Sequence, residues 1–442
     1  MKFWKRFTCV ALLVTLLASP MQLLAERRVA NEPSDWALRE LFMAETYGLG
    51  SEEVFAGFTS EMGFEQFSLL QETVGARLGV AVEELAAPEA GVVTRGYVLD
   101  ALYDAVGMAM DVSAADALSF YIENGLIMGR DDGNYALDAV CTTQEALIFA
   151  KRIYEYAARE MGLSSTGFLW KVSDEDNSVY LLGSIHVANY DIYPLSEAMM
   201  QAYAESVLLV VEVDLTDDAE MDIEELVMSQ GFYHDGTTLQ DVLDEETYAL
   251  VGEVMAEIGL PEEVYNMMRP WYAELIITAM GITEGDAANS VGIDMFYMIL
   301  ALLDEKPIYS LESAALQIET IASMSEATQI VQLQHVLAAQ SGAEGFLDAQ
   351  ESVDLLLAIW SLGDVEILEA VLGRDQLTDE ASLEYFEKMN TIRNVNMIAQ
   401  IDEMLKNSDQ DVMVIVGALH MVYDVGIVAA MEELGYTVER LQ

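Results

Sequence analysis

The 442-residue chain is poor in basic residues, histidine and cysteine. Lys and Arg number 20 against 76 Asp and Glu, which gives a formal net charge of −56. A chain this acidic repels nucleic acid and anionic lipid but attracts cations, so we expect no nucleic-acid partner. Hydrophobic residues make up 53% of the chain. This content supports a sizeable core, and the length suits two or three domains.

Several catalytic signatures are also missing. The sequence has no HExxH, no closely spaced Cys or His ligands, no GxSxG, no P-loop and no dinucleotide fingerprint. The first two absences exclude a conventional zincin. The other absences argue against a serine hydrolase, a nucleotide-binding protein and an NAD enzyme.

Residues 1–25 have the plan of a secretory signal. A basic start precedes the apolar run Val10–Leu17, and Leu23–Ala25 offers a cleavage site. Cleavage removes three positive charges, so the net charge moves from −56 to −59. Only Cys141 then remains, which excludes an intrachain disulfide. No later apolar run approaches membrane-spanning length, so we expect a secreted, extracellular protein with no transmembrane span.

Residues 26–162 predict a small helical domain with weak internal repeats. Their markers are the opening Pro33–Trp36, the Gly- and Asp-rich turn 124–135, and helix starts at Thr94 and Thr142, the latter with capping-box spacing to Glu145. This pattern resembles S-layer homology repeats. The resemblance implies cell-wall polysaccharide as a partner, bound through the basic residue after Thr, here Arg95. A helical spacer is the alternative.

Residues 168–442 predict an α/β domain. Short apolar, β-rich runs alternate with long amphipathic helical stretches. The acidic segments 217–300 and 314–406 are predicted to be mostly helical. We expect a mixed or mostly parallel central sheet with flanking helices and a helical insertion. The predicted strands are Val179–Ile185, Val207–Val213, Lys306–Leu311, Val412–Val416 and Tyr436–Leu441.

Polar side chains lie at the carboxyl ends of four of these strands. They are His186, Glu212 with Asp214, Glu312, and His420. Ligands bind at the carboxyl edge of open α/β sheets, and a lone buried carboxylate or imidazole is costly without a partner. The sequence therefore predicts one shared polar site.

Two of these strand ends match in context. Gly183–His186 and Gly417–His420 are both GxxH segments, and each is followed by a Tyr-Asp pair. A packed strand-end histidine is the alternative for each one alone. The chain has only four histidines, and two of them at equivalent positions favour a shared function.

Residues 168–442 also resemble the TraB/PrgY/GumN family, which is related to the animal TIKI proteases. The blocks that carry the resemblance are "YLLGSIHVANYDIYPL", "LLVVEVDL", "RPWYAEL", "GIDMFYM", "KPIYSLESAALQ", "TIRNVNMIAQI" and "VIVGALHMVYDVGIVAAMEELGYTVERL". The resemblance implies a divalent metal on His186 and His420, with Glu212 beside them. Arg393-Asn394 and Glu312 with Gln317 occupy two further family blocks.

Our leading hypothesis is a divalent-metal-dependent hydrolase, most simply a peptidase acting on peptide or protein substrates. His186, His420 and Glu212 would bind Mn²⁺, Co²⁺ or Zn²⁺. Glu312 or Asp214 would act as general base and Arg393 would stabilise an oxyanion, while Glu212 is open as ligand or base. The alternatives are a non-catalytic protein that sequesters peptide signals, and a structural surface protein. Asp294 is interpreted as a residue that holds a loop.

Overall fold

The computed structural model describes residues 32–441, apart from 83–84, 89–90, 113, 130–132, 218–222, 283–290, 341–348 and 373–376. The predicted signal peptide and residues 130–132 of the predicted turn lie outside the described residues. The chain divides into two compact units. Of the described residues, one unit contains those between 32 and 165 and Tyr190–Ser196, and the other contains Thr166–Asn189 and those between 197 and 441. No helix among the described residues is long and apolar enough to cross a membrane.

The first unit is helical, and its helix starts follow the predicted caps. Thr94 accepts a hydrogen bond from the backbone N–H of Tyr97, and Thr142 and Glu145 form the predicted capping box. Capping of this kind satisfies backbone N–H groups that the first helical turn leaves without partners. The helices are α1 (Leu38–Thr46), α2 (Phe64–Arg77), α3 (Arg95–Ala109), α4 (Ala117–Glu123) and α5 (Thr143–Glu160).

Arg95, at the start of α3, lies in the interior of the helical unit. Its side chain is 7% exposed and forms an ion pair with Glu145 at 2.5 Å. The guanidinium also lies over the ring of Phe149 and donates to the carbonyl of Tyr135. Arg95 therefore stabilises the helix packing and does not present its charge to a polysaccharide. The resemblance to S-layer homology repeats stays a prediction.

The helical unit also holds Tyr190–Ser196, a segment that follows the first GxxH motif. Arg77 donates to the carbonyl of Tyr190 and to the carboxylate of Asp191, and it lies over the ring of Tyr154. Ser165 donates through its hydroxyl to the carbonyl of Ile192 at 2.7 Å. The segment thus belongs to the helical unit, although the sequence places it inside the predicted α/β domain.

The second unit is built on a six-stranded mixed sheet, which confirms the predicted α/β fold. The strand order is β4-β3-β5-β2-β1-β6, with β4, β3, β5 and β2 parallel and β1 antiparallel to both of its neighbours. The strands are β1 (Phe168–Ser173), β2 (Ser178–Ser184), β3 (Leu208–Val211), β4 (Ile308–Ser310), β5 (Val412–Gly417) and β6 (Thr437–Leu441). Five of them match the predicted runs, and β1 was not predicted.

The central strands are buried on both faces. Every residue of β2 and all but the last of β5 are buried, as expected of parallel strands covered by helices. The helices of this unit are α6 (Glu197–Glu205), α7 (Glu224–Gln230), α8 (Leu239–Val242), α9 (Glu245–Glu257), α10 (Glu262–Tyr265), α11 (Pro270–Ile282), α12 (Ile293–Leu303), α13 (Ala314–Ala322), α14 (Glu326–Gln340), α15 (Ala349–Leu362), α16 (Val365–Leu372), α17 (Glu380–Phe386), α18 (Ile392–Asn407) and α19 (Ile427–Glu433). Helices α6, α12 and α18 contact β5, β3 and β2 respectively.

The predicted helical insertion has a core of its own. Trp271 and Tyr272 of α11 are buried with Leu333 and Leu337 of α14 and with Val251 of α9. Burial of apolar surface stabilises a fold by roughly 25 cal/mol per Å², and this stabilisation holds the helices against one another.

Replacing Arg77 by Ala is expected to destabilise the helical unit by about 1–3 kcal/mol. The change removes a charged donor from the part-buried carbonyl of Tyr190, which keeps the backbone N–H of Tyr193 as a weaker donor at 3.2 Å. Urea unfolding followed by circular dichroism measures the effect. Asp191→Ala is the matched control because Asp191 is 81% exposed, and the loss there should stay below about 1 kcal/mol. Equal losses in the two variants would contradict this assignment.

Candidate functional site

The two GxxH segments end neighbouring parallel strands. In the ladder between β2 and β5, Ser184 pairs with Gly417, so both histidines follow at the same edge of the sheet. A Cβ atom on Gly183 would lie 2.9 Å from the Cα of Ala418. Real Cβ atoms do not approach so closely, so glycine is needed where the two segments meet.

His420 is buried and held in one orientation. Its Nδ1 lies 2.6 Å from Oδ1 of Asn394. The amide nitrogen of Asn394 donates to the carbonyls of His420 and Val425, at 3.3 and 2.9 Å. The amide oxygen must therefore face the ring, and Nδ1 must carry the proton. Burial lowers the pKa of His420 to about 4, so at neutral pH its Nε2 carries no proton, and its lone pair can accept a hydrogen bond or bind a metal.

His186 is held in a similar way by a different partner. Its Nδ1 lies 2.7 Å from Oδ2 of Asp294, while its side chain is 65% exposed. The negative charge of Asp294, with a smaller contribution from Glu212, raises the pKa of His186 to about 9. Solvent around the exposed ring screens this interaction. The Nε2 atom of His186 makes no hydrogen bond within the described part of the chain.

Glu212 lies at the centre of the site. It follows β3, and its Oε1 accepts the backbone N–H of Gly417 at 2.6 Å, the glycine of the second GxxH segment. The same oxygen is 3.8 Å from Nε2 of His420. Its Oε2 accepts a hydrogen bond from Arg393 at 2.5 Å. Burial alone would raise the pKa of Glu212, but His420 and Arg393 outweigh it and hold the pKa at about 2.

Arg393 joins Glu212 to the second buried carboxylate, Glu312. Its Nε lies 3.1 and 2.9 Å from the two oxygens of Glu312, and its Nη2 contacts both carboxylates. The side chains of Arg393 and Glu312 are 7% and 1% exposed. The backbone N–H of Glu312 donates to the carbonyl of Glu212 at 2.8 Å, which aligns the ends of β4 and β3. Gln317 donates to both carboxylates, at 3.3 and 3.5 Å.

The structure therefore brings Glu212, Glu312, Arg393 and His420 into one network, with His186 at the adjacent strand end. Asp214 follows the same strand as Glu212, but its Oδ1 accepts the backbone N–H and hydroxyl of Thr216 and closes a turn. The remaining histidines, His234 and His335, are exposed elsewhere. The catalytic and metal-binding roles assigned to these residues stay predictions.

Two residues of the site were missed as functional by sequence reasoning. Asn394 was assigned only to a family block, yet it orients His420. Asp294 was interpreted as a loop-holding residue, yet it binds the ring of His186. The available signal was that "GIDMFYM" and "TIRNVNMIAQI" each place a short polar side chain near the start of a helix.

The donor chemistry and the charge balance of the site fit a divalent cation. Among the described residues no group of three or more His, Cys, Asp or Glu is already gathered closely enough to enclose a metal ion. Both histidines nevertheless use Nδ1 for a protein hydrogen bond and leave Nε2 for a ligand. In the form that could bind a metal, in which His186 has released the proton that it carries at neutral pH, the three carboxylates Glu212, Glu312 and Asp294 face the single charge of Arg393. The excess of two negative charges is what a divalent ion would neutralise.

The comparisons with known proteins agree with this picture at the level of the family. The model of the TraB/PrgY/gumN family matches residues 168–440, well over half of the chain. The chain therefore belongs to the TraB/PrgY/gumN family.

Two curated relatives are each named "Uncharacterized protein YbaP", one from Escherichia coli (strain K12) and one from Shigella flexneri. Each is 21% identical over 147 residues, which is 33% of this chain and 53% of the relative. The chain thus spans about half the length of these relatives. No solved structure matches the chain significantly.

Replacing Glu212 by Gln is expected to cost about 1.5–3 kcal/mol of stability at neutral pH, because Arg393 loses a charged partner. Since the folded pKa of Glu212 is about 2 against an ordinary 4.5, its ionisation stabilises the wild-type protein fully above pH 4.5. That stabilisation is lost as the pH falls through 2. The difference in the free energy of unfolding between the wild type and Glu212→Gln should therefore become smaller as the pH falls from 4.5 to 2.

Denaturant unfolding across this pH range measures this difference. The exposed Glu175, in the turn between β1 and β2, is the matched control, because Glu175→Gln removes the same charge without touching the network. A difference that is independent of pH, or an equal difference for Glu175→Gln, would contradict the assignment.

Proposed function

We propose that this protein is an exported, divalent-metal-dependent hydrolase that acts on peptides. The observation that carries the proposal is the pair of strand-end histidines, each with Nδ1 bound by the protein and Nε2 left for a ligand. A largely buried, ionised carboxylate, Glu212, lies 3.8 Å from one of these nitrogens. The excess negative charge at the site further supports a cation there.

In this proposal His186, His420 and Glu212 hold the ion, which is Mn²⁺, Co²⁺ or Zn²⁺ by donor type. When bound, such an ion lowers the pKa of a coordinated water to about 7 and polarises a substrate carbonyl. Glu212 is better suited to be a ligand than a base, because the guanidinium of Arg393 keeps it ionised.

The roles of Glu312 and Arg393 follow from their contacts. Both oxygens of Glu312 accept from Arg393 in a nearly solvent-free position, which favours a supporting role over proton transfer. The Nη1 atom of Arg393 donates a hydrogen bond to the carbonyl of Met389 at 3.1 Å. Because Nη1 carries two N–H groups, one is left that can donate to a developing oxyanion. We therefore assign Arg393 to oxyanion stabilisation and Glu312 to holding it in place.

A non-catalytic protein that sequesters peptides is the alternative from a different class. The same pocket would bind the ligand without a competent water. Cell-wall attachment is a separate proposal for the helical unit. It has to rely on residues other than Arg95, which is buried and paired with Glu145.

The hydrolase proposal predicts that the purified chain binds about one equivalent of divalent metal and cleaves unstructured peptides. Elemental analysis and a peptide assay with Mn²⁺, Co²⁺ or Zn²⁺, with and without chelator, measure both. His186→Ala and His420→Ala should each lose metal and cleavage, because each removes one of the two Nε2 donors.

The control variants are His234→Ala and His335→Ala, because both rings are exposed outside the site. They should retain metal and activity. Tight peptide binding with no cleavage under any metal would favour the sequestering alternative. An absence of bound metal together with metal-independent cleavage would refute the metal-dependent mechanism.

A further inference from the structure

The ring of His186 depends on one side chain for its orientation. The ring is 65% exposed, and its hydrogen bond within the described residues is the one from Nδ1 to Asp294. An exposed side chain without such a partner samples several rotamers, and fixing it costs entropy. Asp294 is only 14% exposed, and its Oδ1 is buried with no hydrogen-bond partner in the described part of the chain. Within the described residues, the carboxylate therefore directs its hydrogen bond to His186.

Backbone contacts fix the position of the segment around Asp294 against the segment around His186. A Cβ on Gly292 would lie 2.2 Å from the carbonyl oxygen of His186, so only glycine fits there. The next residue, Ile293, donates its N–H to the carbonyl of Ile185 at 3.0 Å. Helix α12 begins at Ile293 and carries Asp294 in its first turn. The helix start is thus fixed against the strand end, and the carboxylate reaches the ring as a consequence.

The second histidine repeats this arrangement with an amide. Asn394 of α18 binds Nδ1 of His420, again from near the start of a helix. In both cases the protein occupies Nδ1, so Nε2 is the nitrogen left toward the site. A carboxylate accepts hydrogen bonds but cannot donate them, so Asp294 requires a proton on Nδ1 of His186.

We propose that Asp294 is a positioning residue that holds the Nδ1–H of His186 and thereby directs its Nε2 into the site. The part of this proposal that concerns metal binding rests on the proposed function. Asp294 itself does not touch the ion. It acts through the imidazole, as the outer partners of metal-binding histidines do.

Metal affinity, measured by isothermal titration with Mn²⁺, Co²⁺ and Zn²⁺, tests the proposal on the full chain. Asp294→Ala should weaken affinity by roughly 10–100-fold. Asp294→Asn should recover most of it, because an amide oxygen serves His420 in the same way. Asp409→Ala is the control, since it removes one exposed negative charge just before β5, at the opposite edge of the sheet, and should leave affinity unchanged.

A second measurement on metal-free protein separates this proposal from the proposed function. Because the chain has four histidines, ¹⁵N-histidine labelling gives a simple spectrum, and His186→Gln assigns the ring. Above the pH at which the ring becomes neutral, wild-type His186 should carry its proton on Nδ1. In Asp294→Ala the proton should move to Nε2, the usual form of a free imidazole.

The two measurements distinguish failure of this proposal from failure of the proposed function. A proton on Nε2 of His186 in the wild-type protein would overturn the proposal, as would wild-type metal affinity in Asp294→Ala. If the wild-type protein has the Nδ1 proton but binds no metal, the metal-dependent function fails while the hold of Asp294 on the ring stands. Melting curves for each variant show that a lost affinity is not a lost fold.

Discussion

The guanidinium of Arg393 is the group on which the site depends. It binds Glu212 and Glu312 together, and these two carboxylates end β3 and β4. Without that charge, two largely buried carboxylates would lie close together, which proteins tolerate by protonating one of them or by binding a cation. Arg393 also belongs to α18, which carries Asn394 and packs against β2. One interaction therefore fixes the carboxylates, the helix and, through Asn394, the ring of His420.

The sequence predicts much of this arrangement and misses a definable part. Five strands appear as apolar runs because parallel strands buried on both faces need apolar side chains throughout. Strand β1 was missed although Trp170, Lys171, Val172 and Ser173 alternate between apolar and polar, which is the pattern of a half-buried strand. The strand-end residues His186 and His420 could be placed at one edge because parallel strands bring their carboxyl ends together. The partners of the two rings could not be predicted, since they lie on helices whose registration depends on close packing such as that at Gly292.

The division of the chain into units illustrates the same limit. Sequence composition separates a helical region from an α/β region, and the family model begins at residue 168. In space, Tyr190–Ser196 packs with the helical unit, through contacts such as those from Arg77 to Tyr190 and Asp191. These residues are more than a hundred positions apart in the chain. Composition and hydrophobic periodicity report local structure, so they carry no information about such pairing.

The difference between Asp294 and Asn394 follows from where the two histidines lie. His420 is buried next to the ionised Glu212, so a second carboxylate there would add an unscreened negative charge at a high desolvation cost. Asn394 supplies the same acceptor without that charge. His186 is exposed, and its ring, which is protonated at neutral pH, balances the charge of Asp294. Once His186 loses its proton, the fold thus keeps the excess negative charge at two rather than three, a value that one divalent cation can balance.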